Sequence, residues 1–190
     1  MKRKVFDVLA SAGGALVVVV LVVAGSLLMW GASFASSSVH NQLAEQDIFF
    51  PPASAFAHAE PGTEITPSMR PYLLKYAGQQ VLTGAQAEAY ADHFIAVHLS
   101  EMPYHGVYAK ISAAAMANPS DAKLKALEQT SFQGTTLRGL LLEAYAFGMF
   151  GSIALYAGIA AFALGAVMLM LVLLGIWHSR RTPETAELAV

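Results

Sequence analysis

The sequence predicts an all-α membrane protein: two transmembrane helices with an extracytoplasmic helical domain inserted between them. Three observations carry that expectation. Two long runs, Val8 to Phe34 and Ala144 to Trp177, contain no Asp, Glu, Lys, Arg or His. A bilayer core about 30 Å thick needs roughly 20 apolar helical residues, and both runs exceed that. Basic residues flank the pair, with Lys2, Arg3 and Lys4 before the first run and Arg180 and Arg181 after the second. No alternating β pattern of useful length interrupts the helical periodicities between them.

Charge distribution then gives a topology. Lys and Arg beside a span favour the cytoplasmic side, so residues 1–7 and 178–190 read as cytoplasmic and residues 35–143 as extracytoplasmic. That middle stretch carries ten acids against six bases, a net charge of −4. Trp30 and Trp177 suit interfacial anchors at the outer end of the first span and the inner end of the second. A competing reading makes the N-terminus a signal peptide, with Ser33-Phe34-Ala35 as its cleavage site. The apolar stretch is far longer than the 7–15 residues of a signal sequence, so a retained anchor is expected.

The chain is 56% hydrophobic and 13% charged, and its net charge of −2 offers no basic surface for nucleic acid. With no cysteine, disulfides, thiolate catalysis and Cys-ligated clusters are excluded. Neither run contains an ionisable group, which argues against a transporter, pump or electron carrier acting alone.

The elements follow in order. The first span, 8–34, continues as a polar helix through Ser36, His40 and Glu45 and ends near Phe49, because Pro51 and Pro52 cannot extend it. Five of the eight prolines lie between Phe49 and Tyr72, which makes 48–72 an extended proline-rich loop. The helical part of the insert is 83–143. Thr83-Gly84-Ala85-Gln86 matches a capping box and opens a helix that Pro103 stops. A second helix covers roughly Tyr104 to Ala117. Asn118-Pro119-Ser120-Asp121 opens a third, with Asn as N-cap and Pro at the first position. From about Thr135 one long helix runs into the second span, 144–177.

Small residues recur along both spans. Gly151, Ala154, Gly158, Ala161, Gly165 and Met168 alternate at spacings of three and four, and Ala10, Gly14, Val17, Leu21, Ala24, Leu28 and Gly31 offer a facing seam. Small side chains let helix backbones approach closely in lipid, where packing drives association. The seam suits either pairing of the two spans with each other or docking against another subunit.

One constellation has chemical potential. His98 and Glu101 lie three apart on one helical face and could share a metal, with His93 or His105 completing a facial triad of the non-haem iron type. In an α-helix His93 points away from His98, about 500° round the axis, and His105 lies beyond Pro103. The four are more simply polar surface positions, so no metal and no cofactor is expected. Glu88 and Asp92, one turn apart, read as a solvated face rather than a paired-carboxylate site.

The run Ala85-Gln86-Ala87-Glu88-Ala89-Tyr90-Ala91-Asp92-His93, with His98-Leu99, Gly106-Val107-Tyr108, Thr130-Ser131-Phe132, Gly134 and Leu137-Arg138-Gly139, resembles a group of actinobacterial two-span membrane proteins. Many of these are filed as the small subunit of aromatic ring-opening dioxygenases. The layout is also similar to small accessory subunits of actinobacterial respiratory supercomplexes. The resemblance implies a plasma-membrane protein. Together with the missing catalytic motifs, it points to an accessory or scaffold subunit in a larger membrane assembly, possible partners being membrane lipid and an integral membrane protein or a second copy. A metal-dependent extracytoplasmic enzyme and an extracytoplasmic sensor are the alternatives.

Overall fold

The computed structural model describes residues 3–183. Residues 1–2 and 184–190, parts of the two termini read as cytoplasmic, lie outside the described residues. The described chain is helical throughout, its only strand-like contact being an isolated antiparallel bridge between Phe49 and Gln80. It forms two compact units, Met1–Phe34 with Gly151–Val190, and Ala35–Phe150.

Two helices are long and apolar enough to cross a membrane: α1, Arg3–Gln46, and the last helix, Ala122–Arg181. Only 11% of the most apolar window of each is buried. A core helix of a soluble protein would bury most of that surface, so exposed Leu, Val, Ile and Phe at this density suit a lipid solvent. The fold is that of a protein with two membrane-length helices.

Between the runs lie α2 (Ala53–Ala57), α3 (Arg70–Leu73) with a 3-10 turn (Leu74–Tyr76), α4 (Gly84–Tyr90), a π-helical segment (Ala91–Ile95), α5 (Ala96–Glu101), a 3-10 turn (Pro103–Gly106) and α6 (Tyr108–Ala117). The last helix, α7, is Ala122–Arg181. Three expectations are corrected here. The proline-rich stretch 48–72 is not simply an extended loop, since it holds α2 and most of α3 and buries Phe50, Phe56, Ile65 and Met69. Its apolar residues outweigh the helix-breaking prolines. Asn118 is not the cap of the third helix: Asp121 Oδ1 accepts from the Lys123 and Leu124 amides at 2.8 and 3.1 Å, and an ionised acceptor caps a helix N-terminus well. That third helix also does not end before Thr135; α7 runs unbroken into the second apolar run, Gly134 and Gly139 notwithstanding.

The Ala35–Phe150 unit has a core of its own. Leu43, Phe50, Phe56, Met69, Leu73, Val81, Ala87 and Leu141 are buried there. The capping box at α4 forms as its residues demand, Thr83 Oγ1 accepting from the Gln86 amide at 3.3 Å and Gln86 Oε1 from the Thr83 amide at 3.1 Å. Gly84 then lets α4 approach α7 closely: a Cβ there would lie 3.2 Å from the Ala144 carbonyl oxygen. The strand of chain before α4 is tied back by Phe50 N–H to Gln79 O at 2.9 Å and Val81 N–H to Ile48 O at 2.8 Å.

Candidate functional site

In the unit built from the two apolar helices, burial falls on one narrow stripe. Along α7 the buried positions are Gly151, Gly158, Ala161, Gly165, Val172 and Ser179, with Ala154, Met168 and Gly175 half-buried between them. Small residues do there what their size permits. A Cβ on Gly158 would lie 3.3 Å from the Gly25 carbonyl oxygen and 3.2 Å from Met29, and one on Gly165 would lie 3.6 Å from Leu21 Cβ.

On α1 the stripe is rotated from the expected one. Gly14 packs on Val172 and Met168, and Leu21, Ala24 and Leu28 are half-buried. Ala10 and Val17 are exposed, and Gly31, although half-buried, has no neighbour within 4 Å of a Cβ position. Ser11, Val18 and Ala32 take those places, and Gly25 is buried beside Ala24. The expected and observed frames share Gly14, Leu21, Ala24 and Leu28 and differ in which flank joins them. Gly25 decides it, because its bare backbone is what Gly158 and the Phe162 ring rest on.

At the end of this stripe formed by the start of α1 and the end of α7 sits a residue that the apolar run, counted from Val8, leaves out. Asp7 is half-buried, its Oδ2 is fully covered without a hydrogen-bond partner, and His178 Nε2 lies 3.9 Å from it. The signal was available: a polar residue at the end of an apolar run faces protein more readily than lipid.

In the other unit, the helix from Gly84 to Glu101 carries a ladder of rings on one face. Tyr90 and Phe94 are 4.7 Å apart between centroids, and Phe94 and His98 are 4.5 Å apart. Phe50 meets Tyr90 edge-on at 5.5 Å. The π-helical turn Ala91–Ile95 lies inside this ladder. A π turn inserts one residue into an α-helix and is common at functional sites. Burial, and secondarily the Glu64 carboxylate, pushes the Tyr90 phenol above its ordinary value of 10.0. The neutral phenol is therefore favoured by folding. Its contribution is intact below about pH 10, where the unfolded chain's tyrosine starts to ionise, and is lost as pH rises through the higher native value. An alkaline absorbance titration of tyrosinate is expected to lose a late-ionising component on Tyr90→Phe; superimposable curves, allowing for one phenol fewer, would refute the assignment.

The histidines of the sequence constellation are each occupied separately. His93 stacks flat on Tyr72, with centroids 3.5 Å apart and planes 5° apart. His98 Nδ1 is 2.8 Å from the Phe94 carbonyl oxygen. Glu101 is exposed on the last turn of α5, and His105 is exposed in a left-handed conformation, φ 55°. The π turn alters the α-helical phase between His93 and His98, but not enough to join them. Among the described residues no three His, Asp or Glu side chains are grouped to hold a metal. Asp92 is not paired with Glu88 but with Arg138 of α7, at 2.6 Å. Both partners are more than a third exposed, so on its Coulomb term that ion pair contributes at most about 1 kcal/mol.

Next to the ladder lies the most constrained backbone in the chain. Tyr104, His105 and Gly106 have φ of 58°, 55° and 65°. Left-handed conformations cost an L-residue about 1–2 kcal/mol each, and such strain clusters at functional sites. The turn is held by Ser131, whose buried hydroxyl donates to the Gly106 carbonyl at 2.8 Å. It displays Tyr104, Val107 and Tyr108, with Phe132 of α7 5.6 Å from Tyr108 between ring centroids. Compared with protein-family models, with curated proteins and with solved structures, the chain matches none.

Proposed function

We propose that this chain is a non-catalytic, two-span protein of the plasma membrane that works by binding. In this reading both termini are cytoplasmic, the Ala35–Phe150 unit is extracytoplasmic, and the chain serves as an accessory or scaffold subunit of a larger membrane assembly. The observation that carries the reading is the apolar patch at the strained turn. Tyr104, Val107, Tyr108 and Phe132 are exposed by 48%, 43%, 39% and 50%. Aromatic residues grouped on a surface are the usual anchors of protein interfaces. A turn that holds two non-glycine residues left-handed carries a stability cost, and the residues it displays face outward. His93 and His98 support the same reading, the first ring stacked on Tyr72 and the second engaged with the Phe94 carbonyl.

The test is gentle extraction of the tagged full chain in mild detergent. A membrane protein partner, or a second copy, is expected at fixed stoichiometry, and Tyr108→Ser with Phe132→Ser is expected to release it while the chain stays folded. Migration as a free monomer with nothing bound would overturn the proposal.

A further inference from the structure

The ring ladder also walls a cavity within the Ala35–Phe150 unit, with a volume of about 310 Å³. Its lining is almost wholly carbon, and Phe94, Ile95, Leu99 and Met102 supply most of it. The pocket is open to one side, and small-molecule sites begin near this size. The cavity therefore fits a ligand of about a dozen non-hydrogen atoms.

The polar groups on the wall decide the ligand's charge. The Thr130 hydroxyl donates to the Ala126 carbonyl at 3.0 Å, and His98 Nδ1 is engaged with the Phe94 carbonyl. Neither hydroxyl nor ring nitrogen is left to donate into the cavity from those atoms. Glu64, also on the wall, has no hydrogen bond or ion pair among the described residues, and its carboxylate lies close enough to Tyr90 to act on that phenol. The site thus offers an anionic acceptor, an aromatic face and hydrocarbon, and no free donor of that kind. An anion would face the Glu64 carboxylate, with neither the Thr130 hydroxyl nor His98 Nδ1 free to hold it. A cation would find both a carboxylate and the ring of Phe94, and aromatic faces attract ammonium groups.

We propose that this cavity binds a small lipophilic ammonium ion from solution, its hydrocarbon body against Phe94, Ile95, Leu99 and Met102 and its charge at Glu64. This site adjoins the strained turn but is lined by other residues than the exposed patch there, and the small probes below read it directly.

Calorimetry on the full chain in phosphatidylglycerol nanodiscs tests it, with empty discs subtracted and hexylammonium, hexanol and hexanoate as probes. Hexylammonium is expected to saturate one site per chain, hexanol to bind about tenfold more weakly, and hexanoate not at all. Glu64→Gln, an exposed position, is expected to reduce hexylammonium to the level of hexanol. Gly134→Leu, which fills the cavity beside Leu99, is expected to abolish both. The proposal fails if hexylammonium does not saturate, if hexanol or hexanoate binds as tightly, or if Glu64→Gln changes nothing. Loss of hexylammonium binding when phosphatidylethanolamine is added to the discs would assign the site to a lipid headgroup and overturn a soluble ligand.

Discussion

Gly106→Ala is expected to destabilise the Ala35–Phe150 unit by at least about 3 kcal/mol. Two effects add. The residue sits at φ 65°, where an L side chain is strained, and a Cβ there would collide with the Leu99 carbonyl oxygen and crowd its carbon at 2.8 Å. That obstacle is backbone in the last turns of α5, not the end of a flexible side chain, so it cannot step aside. Thermal unfolding of the full chain in detergent, read by protease resistance of the unit, measures the effect. Ser131→Ala provides the comparison. It removes the one buried side-chain bond to this turn and is expected to cost about 1–2 kcal/mol. A Gly106→Ala chain that melts within about a degree of wild type would show that the turn relaxes freely and that its conformation is not held.

The second large effect concerns the two apolar helices. The chain contains no cysteine, so an introduced pair is the only thiol pair present. A Cβ at 165 would lie 3.6 Å from Leu21 Cβ, inside the range that a disulfide spans. Leu21→Cys with Gly165→Cys is expected to cross-link nearly completely on mild oxidation in membranes, within one chain. Gly31→Cys with Gly165→Cys is expected not to, since nothing lies within 4 Å of a Cβ at Gly31. Adding Gly158→Ile to the reactive pair is expected to reduce the yield at least about tenfold, because the branched side chain meets the Gly25 carbonyl and Met29 at contact distance. Equal yields from both pairs would mean that the seam is not fixed.

The two apolar runs and the capping box were legible because each rests on a local rule: length without charge, and Thr followed three residues later by Gln. The stripe on α7 was legible for the same reason, since small residues at alternating spacings of three and four leave one face. On α1 the same rule gives the frame 10-14-17-21, whereas the buried frame is 11-14-18-21. Only the partner's shape, with Gly25 beneath Gly158 and Ser11 beside Gly175, separates them. Less was legible at the ring ladder. A π turn has no marker in Ala91-Asp92-His93-Phe94-Ile95, because it arises from packing on α3 and α7. Tyr104 and His105 gave no warning of a left-handed turn either; Gly106 did, but one glycine fixes only its own φ. Asn118-Pro119-Ser120-Asp121 reads with its cap at Asn118, and the helix starts three residues later because Asp121 is the side chain that reaches free amides.

The spacing of the buried stripe on α7 has a geometric consequence. Its positions, from Gly151 to Ser179, advance by three and four in alternation, a mean period of 3.5, against 3.6 for a straight helix. A helix that keeps such a stripe facing its neighbour must wind around it with a left-handed supercoil. The outward faces of the pair then wind as well. A flat partner helix lying along the bilayer normal would meet residues of α1 at one depth and of α7 at another, and would read the two spans as a single twisted surface.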